Sequence, residues 1–223
     1  MGSQKFGISY DVCKPIASTI KTIRDQGTEI AIVIGGGNIF RGVNLKELGM
    51  QRTPADHIGM LATLINGIAL QQSLEAMGCP ALVMSALDCP KVAESYRWSH
   101  AMEAIAGGKV LIFVGGTGNP YFTTDTAAAL RASEIHADIL LKATKVDGVY
   151  NKDPLKHSDA VKYAQLSYSQ MLAEKLEVMD ATSTALCMSS NIPIFVFNMK
   201  LFNQEEILST LKNQNGTLVH SGV

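Results

Sequence analysis

Charge is scarce in this chain. Only 17% of its 223 residues are Asp, Glu, Lys or Arg, and the formal net charge is −1. Lys and Arg are scattered singly, which excludes the electrostatic footprint of a DNA- or RNA-binding protein and the basic stripe of a membrane-surface helix. Cysteine is also sparse. Cys13, Cys79, Cys89 and Cys187 show no Cys-x-x-Cys spacing and no His at zinc-ligand offsets, so they read as reduced thiols and not as a disulfide framework. The five histidines are dispersed, with no His-Glu-x-x-His. No apolar run approaches a membrane span. The start, Met1-Gly2-Ser3, has Phe6 where a myristoylation signal needs Ser or Thr, and no signal-peptide core follows. These absences point to a cytoplasmic globule.

What is present is apolar: 47% of the chain is hydrophobic, enough for a substantial core in a single domain spanning 1–223. Helix-period and strand-like segments alternate. Val12, Ile16, Ile20 and Ile23 share one helical face, with Gly27 as the stop. Strands are expected at Glu29–Ile34, Ala81–Ser85, Lys109–Val114, Asp138–Ala143 and Ile192–Phe197, with a terminal strand in "GTLVH". Helices are expected at Pro54–Met77, Thr124–His136 and Asn203–Lys212. Near-continuous apolar strands between helices predict an α/β fold with a mostly parallel sheet covered on both faces. From Ile58 to Leu70 the long helix is apolar nearly all round, interrupted by Thr63, Asn66 and Gly67. Such a helix is buried on every side, either at a subunit contact or under loops of its own chain.

In open α/β sheets, ligands sit beyond the carboxyl ends of strands. Two glycine loops leave such ends, "IGGGNIFRG" (Ile34–Gly42) and "VGGTGNPYFTTD" (Val114–Asp125). Glycine lets backbone N–H groups approach a phosphate, and the N-terminus of a following helix adds donors and partial positive charge. Phe40 breaks the Gly-x-Gly-x-x-Gly dinucleotide pattern, and Val43 stands where a Walker A loop needs Lys. Arg41 in one loop and the Thr/Asp cluster in the other favour phosphate handling over two ordinary turns.

Several of these residues also have plain structural readings. Thr53-Pro54-Ala55-Asp56 reads as a helix start with Asp56 as a capping carboxylate, and Asp125 as the cap of the following helix. Asp147-Gly148 carries a hairpin-turn signal. Lys142 and Lys145 read as surface charges, and Tyr121 and Phe122 as packing residues. Their joint placement after strand ends is what the plain readings explain least well.

Taken with "VIGGGNIFRG", "DHIGMLAT", "GTGNPYFTTDTAA", "KATKVDGVYNKDP", "VMD" and "VFNM", the chain resembles the bacterial uridylate kinases of the amino acid kinase family, in order, from Phe6 to the C-terminus. The resemblance implies a three-layer α/β/α sandwich around a mainly parallel sheet, a homohexamer built from dimers, and conversion of UMP and ATP to UDP with Mg²⁺, without nucleic acid or membrane partners. It assigns Gly36, Asp56, Thr117, Gly118, Asn119, Pro120, Tyr121, Phe122, Thr123 and Thr124 to UMP. Gly37, Arg41, Thr144, Tyr150 and Asp153 fall to ATP. Arg41 and Asp125 take catalytic roles at the transferred phosphate, and no residue is assigned to the metal. The family opens with a strand ending in Lys-x-Ser-Gly, whereas this sequence starts just after that motif. Either the sequence starts at an internal methionine, or the product lacks the first strand and its lysine; for the sequence as given, kinase activity is expected to be severely reduced. The other readings are a related small-molecule kinase of the same family, a non-catalytic nucleotide-binding or regulatory subunit and, more remotely, a nicotinamide-dependent dehydrogenase.

Overall fold

Ala17, Ile20 and Ile23 are buried along one face of helix α1 (Tyr10–Asp25), which ends at Gly27 with φ +89°. A left-handed residue there favours glycine. In the computed structural model, residues 7–40, 49–176, 178–203, 213 and 215–222 are described, and they form two compact units, Met1–Ala127 and Ala128–Val223. Arg41 and nearly all of the helix expected at Asn203–Lys212 lie outside the described residues.

The first unit holds strands β1 (Ala31–Val33), β2 (Ala81–Ser85), β3 (Glu94–Ser95) and β4 (Val110–Val114), in the order β1-β4-β2-β3 with every pairing parallel. β4 is buried throughout, as an apolar strand inside a parallel sheet should be. Because side chains alternate along a strand, Val110, Ile112 and Val114 join one core with Ala17, Ile20, Leu64, Leu70 and Leu74. Phe113 instead meets Tyr96 edge-on at 5.6 Å. Helix α2 (Arg52–Glu75) supplies Leu64, Leu70 and Leu74 to that core. Its backbone lies so close to β4 that a Cβ on Gly67 would sit 2.4 Å from Val114 Cγ1. Helix α3 (Trp98–Ala106) buries Ala101, Ala104 and Ile105.

Helix α4 (Thr124–Glu134) follows β4. The second unit contains β5 (Leu140–Thr144), β6 (Val149–Tyr150), β7 (Lys162–Tyr163), β8 (Gln165–Ser167), β9 (Ile194–Asn198) and β10 (Thr217–His220). Four of these form a sheet ordered β5-β9-β10-β8, in which only the β9–β10 pairing is antiparallel, while β6 and β7 form a separate antiparallel pair. Helices α5 (Tyr168–Ala173) and α6 (Ala181–Ser189) are capped by Ser167, which accepts from Gln170 N at 3.1 Å, and Asp180, which accepts from Ser183 N at 2.8 Å. Each unit also encloses one fully buried cysteine, Cys79 in the first and Cys187 in the second. Burial raises both thiols, Cys187 to about 11.

The mainly parallel α/β architecture expected from the sequence is the one found, with the strands of the described residues divided between two four-stranded sheets and the two-stranded β6–β7 pair. Among the described residues, no helix is long and apolar enough to cross a membrane.

Candidate nucleotide site

The two glycine loops leave the carboxyl ends of neighbouring parallel strands, β1 and β4, and both border one cavity of about 300 Å³, at the small end of ligand-site volumes. Gly36, Gly37 and Phe40 line it from the first loop; Gly116, Thr117, Asn119 and Phe122 through Thr124 line it from the second. Helix α2 closes the floor with Arg52, Ala55, Asp56, Gly59, Met60 and Thr63. Gly36 is buried, and a Cβ there would lie 2.6 Å from the Gly59 carbonyl oxygen and 2.8 Å from Ala62 Cβ. Gly115, Gly116 and Gly118 all have positive φ (+77°, +59° and +81°), the conformations that let this loop turn back over the strand end.

Asp56 is not a helix cap. Helix α2 begins at Arg52 with Gln51 at the N-cap, one turn before Asp56. The reading of Thr53-Pro54-Ala55-Asp56 as the helix start is thus corrected. Asp56 instead accepts hydrogen bonds from Arg52 Nε at 2.8 and 2.9 Å and from the backbone N–H of Tyr121 at 2.8 Å. The Arg52 guanidinium lies 5.4 Å from the Tyr121 ring centroid, within cation–π range. These contacts hold Tyr121 at φ +73°, a conformation uncommon outside glycine and costly to keep without such partners.

Nor does Asp125 cap α4. The Thr123 hydroxyl accepts from the N–H groups of Asp125 (3.1 Å) and Thr126 (3.2 Å), leaving Asp125 in the first turn. Tyr121 and Phe122 are 67% and 49% exposed, so the reading of both as packing residues is also corrected. Phe122 faces the cavity. Gly118, Pro120 and Tyr121 lie in the same loop but outside the lining.

In the second unit, Thr144 ends β5, and its hydroxyl accepts from Val146 N at 2.9 Å and donates to Val146 O at 3.0 Å. Tyr150 donates its hydroxyl to Asp147 Oδ1 at 2.6 Å, and Lys162 Nζ pairs with Asp147 Oδ2 at 3.0 Å. The hydrogen bond from Tyr150 is the main cause holding the Asp147 carboxyl below its ordinary value. Reciprocally, that bond pushes the phenol up to about 12. Asp153 accepts from Leu155 N at 2.9 Å and pairs with Lys156 at 3.4 Å, and the backbone bond is the main cause lowering its carboxyl. Asp147-Gly148 is not a two-residue hairpin turn, because β6 pairs with the distant β7. Gly148 serves close approach instead: a Cβ there would meet Thr217 Oγ1 at 2.6 Å.

Sequence reasoning passed over Arg52, Gly59, Met60 and Thr63 as cavity residues. A signal for Thr63 was present, since it interrupts an otherwise apolar run. The lining combines glycine backbone, hydroxyls, one side-chain amide, one carboxylate, one guanidinium and the apolar side chains of Phe40, Ala55, Met60 and Phe122. That mixture suits a small ligand with an anionic end, a polyol and a flat ring.

Comparison with known proteins agrees with this chemistry. The uridylate kinase of Protochlamydia amoebophila (strain UWE25) is 63% identical over 223 residues, covering all of this chain and 89% of that protein. The UMP kinase of Ureaplasma parvum superposes with a TM-score of 0.90 at 40% identity, over 96% of this chain and 91% of that one. The UMP kinase of Bacillus anthracis gives 0.93 at 34% identity, over 100% and 91%. Residues 2–198 match the amino acid kinase family, and the chain belongs to that family.

Proposed function

We propose that this protein transfers the γ-phosphoryl group of ATP to UMP, forming UDP and ADP. The observation that carries the reading is the single cavity into which both glycine loops open, supported by the likeness to uridylate and UMP kinases. UMP lies against the cavity lining contributed by Gly36, Asp56, Thr117, Asn119 and residues 122–124, with Gly118, Pro120 and Tyr121 completing the loop around it. Asp56 accepts from ribose hydroxyls, and its present hydrogen bonds from Arg52 and Tyr121 N aim the carboxylate and fix the loop together. ATP is assigned to Gly37, Arg41, Thr144, Tyr150 and Asp153.

An oxygen of the UMP phosphate attacks the γ-phosphorus, the bond to the bridging oxygen breaks, and ADP leaves with the electron pair. The acceptor is already ionised, so no general base is needed. Catalysis reduces to alignment and charge neutralisation. Backbone N–H groups and Arg41 supply positive potential, and Asp125 orients the cationic groups. Mg²⁺ bound with ATP would supply further charge neutralisation. No residue is assigned to it, because the nucleotide phosphates and water would hold it. The reading keeps 1–223 as one functional domain in the cytoplasm and a homohexamer built from dimers, the last supported by exposed Leu61 and Ile65 on α2.

The test is UDP formation from UMP with Mg-ATP, set against CMP, AMP, amino acid and carbamate acceptors, with calorimetry of UMP binding alongside. Preference for UMP is expected. Preference for another acceptor overturns the substrate, and UMP binding without any transfer overturns the catalytic role.

A further inference from the structure

Helix α2 is apolar over most of its middle, yet three polar or small residues interrupt it, and none is a surface position. Thr63, Asn66 and Gly67 are all buried. In a helix, positions three and four apart share a face, so Gly59, Thr63 and the Asn66–Gly67 pair form one row. That row meets both glycine loops. The Thr63 hydroxyl donates to Met60 O at 2.6 Å and accepts from the backbone N–H of Gly115 at 2.7 Å. A hydroxyl has one proton to give, so Thr63 has spent its donor on its own helix and acts on the loop as an acceptor. One turn on, Asn66 Nδ2 donates to Gly35 O at 2.7 Å. The Asn66 amide also pairs reciprocally with Asn38, at 2.6 and 3.0 Å. Between these anchors Gly36 rests on the helix backbone without room for a Cβ.

We infer that Thr63 and Asn66 are positioning residues that register the two substrate loops against a single rigid helix. This rests on the proposed UMP kinase reading for its ligand, although the geometry does not. Two loops that must hold an acceptor in line with a donor gain from a common reference, because a displacement of about 1 Å costs on the order of a hundredfold in rate. Gly115 is where the second loop departs from β4, so one bond at its N–H fixes the direction of everything from Gly116 to Thr124. Asn66 does the same for Gly35 through Gly37.

The experiment compares wild type with Thr63→Val, Thr63→Ser and Asn66→Asp. Valine keeps the shape but removes the acceptor, serine keeps the hydroxyl, and aspartate removes the donor to Gly35. UMP affinity by calorimetry is expected to fall about tenfold in Thr63→Val, the factor that corresponds to one hydrogen bond, and to return in Thr63→Ser. Asn66→Asp is expected to weaken UMP binding similarly. A role in stability alone would lower the melting temperature and the binding-competent fraction while leaving the dissociation constant as in wild type, and that result overturns the inference. Wild-type protein that binds no UMP sinks the substrate reading instead, and the clasp is then decided by amide exchange. Slow exchange at the Gly115 N–H in wild type and Thr63→Ser supports it, and fast exchange there overturns it. The same measurement decides the matter if Thr63→Val does not fold.

Discussion

Gly36 and Gly37 are adjacent and identical in sequence, yet their surroundings are opposite. A methyl group on Gly36 would collide with the Gly59 carbonyl and Ala62, whereas one on Gly37 would meet nothing within 4 Å. Gly36→Ala is therefore expected to destabilise the protein by about 1–3 kcal/mol, as overpacking does, seen as a lower melting temperature. Gly37→Ala should melt like wild type and show its defect only in nucleotide affinity, if the backbone there approaches a phosphate. Equal melting losses in the two variants would contradict this assignment. The sequence made the loop legible as a close-approach segment, and the resemblance gave Gly36 and Gly37 different ligands, but the steric difference between them was not legible because it comes from a helix further along the chain. The same holds for "TTD": composition offered Asp125 as the helix cap, and geometry gave that role to Thr123. Arg52 was invisible because its contact to Tyr121 is made across a long sequence separation.

At the level of elements, long apolar strands and the long helix could be read from periodicity to within a few residues. The elements passed over were short. β3, β6 and β7 are two residues each, too brief to show a period of two. Helix α6 hides behind Thr182, Ser183 and Thr184, residues of weak helix propensity, although Asp180 stands at its cap. The β6–β7 pair depends on the Asp147–Tyr150–Lys162 cluster, and its pH dependence has a defined sign. A carboxyl held below its ordinary value contributes stability above the carboxylate range and loses it as pH falls through the folded value. Asp147→Asn should therefore melt slightly below wild type near neutrality, by about 1 kcal/mol or less for so exposed a group, with the gap closing on acidification. A gap that widens in acid would show that the hydrogen bonds are not what lowers Asp147. Tyr150 acts at the other end of the scale. Its phenol, raised to about 12, contributes below the ordinary phenol value and loses that contribution as pH rises through about 12.

For the whole molecule, the question left by the sequence was what covers the apolar helix α2. One side is answered within the first unit, where Leu64, Leu70 and Leu74 enter the core. The other is not, since Leu61 and Ile65, one turn apart, are 48% and 49% exposed. An exposed apolar pair on a helix that is otherwise core-like favours association between subunits. Replacing both with Glu should shift the protein to smaller species in sedimentation, with UMP binding per chain preserved because neither residue lines the cavity. Unchanged sedimentation would remove α2 from the interface. What covers this face was not legible in the sequence, because periodicity reports that a face is greasy and not what lies against it. The buried thiols have a different consequence. With Cys79 sealed in one unit and Cys187 in the other, alkylation works as a stopwatch on each. Once the partly buried Cys13 and Cys89 are blocked, whichever of the two remaining sulfurs is labelled sooner names the unit that opens more often.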